Sequence, residues 1–283
     1  MSAVPETGAR ASRPAVVLDD VVFTYPSGVR ALDGVDLEVT AGETLGIIGQ
    51  NGSGKSTLVR HLNGLLRPAS GRVLVHGEDV AGRHVAEISR QVGLAFQDPD
   101  RQIFAGRVRD EVAFGPRNLG ARGIELEAAV AEALGAVGLN GTADLNPYDL
   151  GYSRRKLLAI ASVLAMRTPI VILDEPTTGQ DQRGVARVKE VVGRLVAEGR
   201  TVIAISHDMR FVAETFARVV VMREGRVVLD ATPAETFGEP SWPVLASTQL
   251  EPPLAARVGA ALGLGSTPIE WALVDALDAA SHS

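Results

Sequence analysis

The chain has 283 residues, no cysteine and a formal net charge of −6 at pH 7. This length allows one large domain, or a main domain with a smaller subdomain, around a sizeable buried core. The lack of cysteine excludes disulfides, thiolate metal sites and cysteine nucleophiles, and the acidic balance argues against a nucleic-acid partner. No apolar run approaches the ~20 residues that cross a bilayer, so we expect the chain to be soluble unless a partner holds it at a membrane.

The N-terminal part is predicted to be a short leader followed by an antiparallel β-subdomain. Residues 1–14 are small and polar types with two prolines, which indicates a disordered leader. Two strand-like stretches follow, Val16–Phe23 and one around Leu37–Val39. A hairpin is predicted at Arg72–Val75, closing at the dipeptide His76-Gly77.

A glycine-rich loop lies between a short apolar run, Thr44–Ile48, and a predicted helix over Lys55–Leu62. The loop fits the pattern G-x-x-x-x-G-K-[ST] in the strand, loop and helix context that this motif requires. Its glycines let backbone N–H groups point at phosphate oxygens, and the helix N-terminus adds the positive end of its dipole. The residues of the loop are Gly49, Gln50, Asn51, Gly52, Ser53, Gly54, Lys55, Ser56 and Thr57.

The chemistry of this loop indicates ATP and Mg²⁺. Lys55 would neutralise the outer phosphates, and the Ser56 hydroxyl would ligate Mg²⁺. The alternative is a glycine-rich turn with an incidental lysine, which average residue usage produces in about one chain in a hundred. The flanking strand and helix lower that frequency further, so we predict an ATP-binding site.

The middle of the chain, residues 100–166, is predicted to form a helical subdomain. Arg154–Met166 is one helical stretch, and in the other, apolar residues recur at helical spacing. The recurring residues are Leu126, Val130, Ala133, Leu134 and Val137.

The following part alternates strands with a helix. Ile170–Leu173 and Val202–Ile205 are apolar runs typical of buried strands, and Val185–Val196 between them is amphipathic. This alternation predicts an α/β fold, a P-loop ATPase core with a mostly parallel sheet, to which the β-subdomain and the helical subdomain are attached. Val219–Met222 and Arg226–Leu229 predict a closing hairpin.

The core and its subdomains are predicted to occupy residues 15–237, followed by a C-terminal extension over 238–283. The extension contains two weakly predicted helices, around Leu254–Leu262 and Ile269–Leu277.

Two carboxylates follow the predicted strand Ile170–Leu173. Asp174 would hold Mg²⁺, directly or through water, and Glu175 would polarise or deprotonate the attacking water. An acidic turn in solvent is about equally frequent for such a pair on its own. The phosphate loop favours the catalytic interpretation.

From Ala15 to Asp230 the chain resembles the ATP-binding subunit of an ABC transporter, through the phosphate loop, the acidic pair and residues in the family's order. The resemblance implies that Tyr25, in Phe23-Thr24-Tyr25-Pro26, stacks on adenine. It also implies that Gln97 reaches the metal and reports to the membrane partner. The alternative for Tyr25 is a turn tyrosine.

The same resemblance assigns two residues beyond the acidic pair. His207, in Ile205-Ser206-His207-Asp208, would contact the γ-phosphate and join the catalytic set, whereas a lone histidine at a strand end more often caps or is solvated. Asp181 matches the loop through which two such subunits signal across their dimer interface.

Within that family, Gln97–Phe104 and Val112–Pro116 make the chain similar to energy-coupling-factor and cobalt-type importers. This similarity implies an ATP-hydrolysing subunit, peripheral at the cytoplasmic face of the membrane, that powers import of a small solute, a vitamin or a transition-metal ion. Its partners would be a second ATPase subunit, a membrane coupling protein and a substrate-binding membrane subunit. Gln102–Gly115 would cradle the coupling protein's cytoplasmic helices, and a helical surface without a partner is the alternative.

The segment that corresponds to the family's signature departs from the usual Leu-Ser-Gly-Gly-Gln, which caps the ATP bound by the opposite subunit. Gly151 replaces the serine, and a bulky Tyr152 replaces the first glycine. Aligned on Ala159–Met166, the segment reads Leu150, Gly151, Tyr152, Ser153 and Arg154.

A helix that starts near Ser153, with Ser153 as its N-cap, would still present N–H groups to an anion. Arg154, Arg155 and Lys156 lie in its first turn, where cations oppose the helix dipole. Either a nearby phosphate resolves this conflict or the run is exposed to solvent. Because the signature serves the partner's nucleotide, we predict an asymmetric pair in which a non-identical subunit completes this chain's site.

Two other functions stay open. A cytosolic ABC-type ATPase acting on ribosomes or DNA usually carries tandem cassettes, long coiled-coil insertions or basic extensions, and the sequence has none of these. A nucleotide-binding regulatory subunit with little hydrolysis would fit the altered signature, but the presence of Glu175 and His207 argues against it.

Overall fold

The computed structural model describes residues 14–265 and 267–282. The predicted leader lies outside the described residues except for Pro14, which begins the first strand. In the described chain the strands are β1 (Pro14–Thr24), β2 (Arg30–Thr40), β3 (Thr44–Ile48), β4 (Ser70–Val75), β5 (Glu78–Asp79), β6 (Val92–Ala95), β7 (Ile170–Asp174), β8 (Thr201–Ile205), β9 (Arg218–Arg223) and β10 (Arg226–Ala231). The helices are α1 (Lys55–Leu62), α2 (Val85–Ile88), α3 (Val108–Leu119), α4 (Gly123–Ala136), α5 (Tyr152–Ala165), α6 (Gln182–Ala197), α7 (Met209–Thr215), α8 (Pro233–Thr236), α9 (Trp242–Ser247), α10 (Leu254–Ala261) and α11 (Glu270–Ser281).

Six strands form the central sheet in the order β10-β9-β3-β8-β7-β6. From β9 to β6 all neighbours are parallel, and β10 runs antiparallel to β9. β3, β7 and β8 are buried along their whole length, which explains why each is a continuous apolar run. The prediction of a mostly parallel sheet is confirmed, and β3 and α1 have their predicted bounds.

A second sheet, in the order β2-β1-β4-β5, is antiparallel throughout. β2 begins at Arg30 rather than near Leu37, because Leu32 and Val35 already face the core. The hairpin predicted after Val75 is present as β4 and β5. Residues of this sheet share one apolar cluster with β3 and α1, so the β-subdomain is attached to the core beside the glycine-rich loop.

Helices α3, α4 and α5 pack on one another and form the predicted helical subdomain. The sequence pattern does not predict the adjacent strand β6, because the strand is short and contains Gly93, a residue that weakens a strand signal. A side chain at position 93 would come within 2.6 Å of Val163 in α5. Gly93 therefore weakens the sequence signal of β6, and the same residue allows α5 to pack closely against this strand.

The C-terminal extension consists of α9, α10, α11 and their connections, with α8 just before it. Phe237 and Leu245 are fully buried in the main core cluster, so the first part of the extension packs on the ATPase core. The two predicted helices are present as α10 and α11, which pack on each other. Glu270 of α11 forms an ion pair with Arg210 of α7 at 2.7 Å.

Among residues 14–265 and 267–282, no helix combines the length and the apolar character needed to cross a bilayer.

Candidate functional site

The glycine-rich loop joins the end of β3 to the start of α1 at the carboxyl edge of the central sheet. Gly49 and Gly54 have φ angles of +151° and +104°. A side chain at these positions would collide with the carbonyl oxygens of Met222 and Ala31. Both positions therefore need glycine, and the loop can curl only because of them.

The turn between β9 and β10 supports this loop. The Gly225 N–H donates to the Ser53 carbonyl at 3.0 Å, and the Gly225 carbonyl accepts from the Asp33 N–H at 2.9 Å. One residue, Gly225, thus connects the loop, the closing hairpin and strand β2. The shape of the loop depends on strands far away in the sequence.

The Lys55 ammonium folds back over the loop. Its Nζ donates to the carbonyl oxygens of Gly49, at 2.6 Å, and Gln50, at 2.9 Å. Burial lowers the pKa of Lys55, and the neighbouring Glu175 and Asp174 oppose that shift. Phosphate oxygens form stronger charge-assisted hydrogen bonds than neutral carbonyls do, so Lys55 has partners that a phosphate can replace.

A cavity of about 320 Å³ lies beside the loop. It brings together most of the phosphate loop with three residues predicted from other parts of the chain, Tyr25, Gln97 and Glu175. Asp174 is buried and does not line the cavity, and neither do His207, Leu150–Arg154 and Asp181. The lining residues are Tyr25, Val29, Ala31, Asn51, Gly52, Ser53, Gly54, Lys55, Ser56, Thr57, Gln97, Glu175 and Ile205.

Asp174 ends β7 and is 4% exposed. Burial raises the pKa of Asp174, the like charge of Glu175 raises it further, and a hydrogen bond with Ser56 opposes the rise. Its Oδ1 has no hydrogen-bond partner among the described residues. A buried carboxylate oxygen without a donor, next to a serine hydroxyl, fits Mg²⁺, an ion that proteins often hold through one or two oxygens plus phosphates. The described residues contain no cluster of three or more His, Cys, Asp or Glu arranged for a metal.

Glu175 and His207 meet just beyond the ends of β7 and β8. The Glu175 backbone has φ +52°, which is strained for a residue other than glycine, and its N–H donates to the Ile205 carbonyl at 2.9 Å. Its Oε2 lies 2.6 Å from His207 Nδ1. The Glu175 side chain is 10% exposed and that of His207 is 63% exposed, so the contact fixes the carboxylate and leaves the imidazole accessible.

Tyr25 is held beside the loop by contacts that the sequence does not predict. Its hydroxyl and Thr57 Oγ1 are 3.0 Å apart, and its ring meets Phe23 edge to face at 4.9 Å between centroids. Phe23 packs in the same way on His61, a buried residue of α1 whose Nδ1 lies 2.8 Å from the Thr57 carbonyl. Burial lowers the pKa of His61. The stacking of Tyr25 on adenine stays a prediction.

Gln97 follows β6 and is exposed at the cavity. A second glutamine, Gln102, accepts from the Phe96 N–H at 3.0 Å and donates to the Ala159 carbonyl of α5 at 2.8 Å. No motif singles out Gln102. Its contacts tie the segment that carries Gln97 to the helical subdomain.

The altered signature segment is built differently from the prediction. α5 begins at Tyr152, and Gly151, in an extended conformation, occupies the N-cap position without a side-chain bond. Ser153 is therefore not the N-cap, because it already lies inside the first turn. Its hydroxyl lies 2.7 Å from Oε1 of Gln180 instead.

The basic run in α5 is neither wholly exposed nor wholly free for a phosphate. Arg154 is exposed, but the Arg155 guanidinium pairs with Asp100 at 2.9 Å. Lys156 is only 1% exposed, and its Nζ has no hydrogen-bond partner among the described residues. Burial lowers the pKa of Lys156, and the carboxylates of Glu175 and Asp174 oppose the shift. Helical periodicity places Lys156 on the inward face of α5. The residue is neither exposed to solvent nor accessible to a phosphate, so both interpretations of the basic run are wrong for Lys156.

Asp181 caps helix α6. Its Oδ1 accepts from the Gly184 N–H at 2.8 Å, the usual arrangement for an N-cap aspartate. The residue is exposed. Signalling through Asp181 between two subunits stays a prediction.

Comparison with known proteins adds to this geometry. The family model described as "ABC transporter" matches residues 32–178. The energy-coupling factor transporter ATP-binding protein EcfA1 of Symbiobacterium thermophilum is 47% identical over 240 residues, which cover 81% of this chain and 83% of that protein. The chain spans 42% and 41% of the lengths of two longer relatives, from Caldanaerobacter subterraneus and Methanosarcina acetivorans.

Solved structures agree with these relatives. The structure of cbiO1 from Clostridium perfringens, part of the ABC transporter complex cbiONQ, superposes with a TM-score of 0.74 at 33% identity, covering 89% of this chain and 99% of that one. The ATP-binding cassette MJ0796, in a dimeric post-hydrolysis state bound to ADP and Pi, gives 0.72 at 26% identity, covering 77% and 98%.

Proposed function

The chain belongs to the ABC transporter family, whose ATP-binding subunits are ATPases, and we propose that it binds and hydrolyses ATP as the motor subunit of a small-solute importer. The observation that carries this proposal is the cavity of about 320 Å³, where the phosphate loop, Gln97 and Glu175 converge and whose Ser56 forms a hydrogen bond with the buried Asp174. The comparisons support an ATPase of the energy-coupling-factor type through EcfA1 and cbiO1.

Each residue of the site has a role in this proposal. Lys55 exchanges its carbonyl partners for the outer phosphates, and the loop N–H groups hold the remaining oxygens. Glu175 orients and accepts a proton from the attacking water, while His207, which contacts Glu175, would contact the terminal phosphate. Ser56 and Asp174, with Gln97, would hold Mg²⁺, which would neutralise the negative charge that develops on the phosphates.

The signature side of the site must come from another subunit, because Leu150–Arg154 do not line the cavity. In this proposal the chain pairs with a second ATPase subunit, non-identical and with a regular signature, that completes the site. The exposed α11 supports a pairing surface in the extension. Trp271, Val274 and Leu277 recur at helical spacing and are 66%, 54% and 40% exposed.

We further propose that the helical subdomain binds a membrane coupling protein, which would hold the chain at the cytoplasmic face of the membrane together with a substrate-binding membrane subunit. Phe104 and Phe114 lie within the predicted cradle, pack edge to face at 4.8 Å between centroids, and are 62% and 46% exposed. Two exposed aromatic rings in contact form an apolar platform suited to the apolar face of a partner helix. A vitamin or transition-metal ion is the proposed cargo.

The test is ATP turnover by the assembled complex with Glu175→Gln. We expect turnover at this site to fall about 100-fold or more, since loss of a general base typically costs 10²–10⁴-fold, while ATP binding persists. Glu125→Gln, a change at an exposed residue of α4, is the matched control and should leave turnover unchanged. Unchanged turnover in Glu175→Gln would contradict the proposal that this is a working site.

A further inference from the structure

The loop that follows β7 is bonded to the first turn of α5 through a reciprocal pair of side-chain contacts. Gln180, which directly precedes Asp181, has its Oε1 2.7 Å from Ser153 Oγ. Its Nε2 lies 2.9 Å from the Ser153 backbone carbonyl. The pair joins the altered signature of the helical subdomain to the ATPase core.

The chemistry of the partners fixes which group donates. A backbone carbonyl can only accept, so the Gln180 atom that faces it must be the NH₂ group. The amide oxygen then faces Ser153, and the hydroxyl must donate its proton to that oxygen. In this arrangement the Ser153 hydroxyl has no proton left to donate to a phosphate.

Neighbouring residues make room for this contact. Gly179 has φ +74°, and a side chain there would come within 2.7 Å of the Tyr152 ring. Gly184 of α6 lacks a side chain where the Gln180 amide lies, and any Cβ there would collide with it. Two of the altered signature residues, Tyr152 and Ser153, thus lie directly on Gly179 and Gln180.

We propose that Gln180 is a positioning residue of the ATPase cycle. It keeps the Ser153 hydroxyl bonded, and so unavailable to the partner's nucleotide, until the loop that follows β7 and contains Asp181 (the Asp181 loop) moves. This inference rests on the proposed function, in which the first turn of α5 faces the nucleotide of the opposite subunit. The clamp of Gln180 on Ser153 links that turn to the loop at the subunit interface. When the contact between Gln180 and Ser153 opens, the Ser153 hydroxyl becomes free to donate to a phosphate of the partner's nucleotide. Nucleotide binding across the interface is therefore coupled to movement of the Asp181 loop.

The first test compares Gln180→Ala, Ser153→Ala and the double variant in the assembled complex, with the KM for ATP and kcat as readouts. Because Gln180→Ala frees the hydroxyl, we expect it to lower the KM about threefold, the size of effect that one hydrogen bond produces. Ser153→Ala removes the donor and should raise the KM. The double variant should match Ser153→Ala in KM, since without the hydroxyl Gln180 has no donor to withhold from the nucleotide.

Gln182→Ala, at an exposed residue two positions further along the same chain segment, is the control and should leave both constants unchanged. A KM that rises in Gln180→Ala as it does in Ser153→Ala would overturn the proposal, because the contact would then be merely structural. A KM that stays unchanged in Gln180→Ala would overturn it as well.

A second measurement does not need ATP turnover and therefore separates this inference from the proposed function. In the full chain without nucleotide, hydrogen exchange at the Leu157 amide reports opening of the first turn of α5, since that amide faces the Ser153 carbonyl one turn back. Gln180→Ala should speed this exchange about threefold, and Gln182→Ala should not. Equal exchange in both variants would overturn the clamp, whereas absence of turnover in the wild-type complex would contradict only the proposed function.

Discussion

The phosphate loop and the first turn of α5 are both helix N-termini that the proposed function directs at phosphate, yet they are built in different ways. In the loop the glycine backbone sets the shape, and Lys55 contacts main-chain carbonyls. At α5 the side chains already have tertiary partners, Ser153 with Gln180 and Arg155 with Asp100. The phosphate loop is built from consecutive residues that a motif identifies, although distant strands support it. The first turn of α5 instead depends on side-chain contacts between residues that are far apart in the chain and belong to no common motif.

The largest effect that tests this comparison is expected from Lys55→Ala. We expect ATP binding to weaken about 100-fold or more, because the ammonium would supply two charge-assisted hydrogen bonds of ~1.5–3 kcal/mol each. Titration of the chain with a fluorescent ATP analogue measures the change. Lys189→Ala, at a lysine paired with Glu214 away from the cavity, should bind normally, and an affinity within threefold of wild type in Lys55→Ala would show that the loop does not rely on this cation.

Gly49→Ala should cost about 2–4 kcal/mol of unfolding free energy, because overpacking against the Met222 carbonyl adds to backbone strain. Urea denaturation measures it. Gly52→Ala is the matched control, since Gly52 also has a positive φ, +81°, but no atom within 4 Å of a Cβ. We expect the control to lose only about 1 kcal/mol. Equal losses would mean that strain alone, and not the close approach of β9, makes the loop depend on glycine.

Lys156→Met should raise the unfolding free energy by about 1–3 kcal/mol near neutral pH, because it replaces a buried, unpartnered cation by an apolar chain of similar length. The pKa of Lys156 is lowered in the folded state, so the unfolded state binds more protons between that lowered pKa and 10.5. The unfolding free energy of the wild type should therefore rise with pH in this window. The difference in unfolding free energy between Lys156→Met and the wild type should become smaller.

Thermal unfolding across pH measures both effects of Lys156→Met. Arg154→Met, at the exposed neighbour in the same turn, should change stability by less than about 0.5 kcal/mol. A loss of stability in Lys156→Met would show that the attraction of Asp174 and Glu175 outweighs the cost of burial.

Asp174→Asn should stabilise the nucleotide-free chain by about 1 kcal/mol at neutral pH, the smallest effect in this series. The pKa of Asp174 is raised by burial and by Glu175, so its favourable contribution is present below its unfolded pKa and lost as pH rises through the folded one. The difference in unfolding free energy between Asp174→Asn and the wild type should therefore increase over that pH range. Melting with ATP alone and with Mg²⁺ and ATP gives the second readout, and stabilisation by Mg²⁺ that survives in the variant would contradict the assigned ligand.

The sequence predicts those parts of the molecule whose signals are local. β3 and α1 have their predicted bounds because a short apolar run ends in obligatory glycines, and the acidic pair lies at the carboxyl end of β7, with Asp174 as its last residue. β6 is not predictable in this way, since Gly93 is explained only by the helix packed on it. The same holds for Lys156, whose burial follows from the inward face of α5 and not from its cationic neighbours.

Within the candidate site, the phosphate loop, Asp174 and Glu175 could be predicted from motif and strand position. The contact of Ser153 with Gln180 could not, because the two residues come from different subdomains and neither belongs to a regular motif. Predicting Ser153 as an N-cap was wrong for a related reason: the cap position depends on where the backbone of Gly151 turns, which the residue types alone do not specify.

The position of β3 has a consequence for how the chain is made. β3 lies between β8 and β9, and Ser53 of the loop is supported by Gly225 in the last hairpin. A ribosome that has released the first half of the chain has therefore made every residue of the loop but none of the strands that enclose it. Until the later strands emerge, β3 exposes two unpaired apolar edges, the kind of surface that chaperones shield and that aggregates recruit. The capacity to hold nucleotide is completed only after β8 and the hairpin of β9 and β10 have been made.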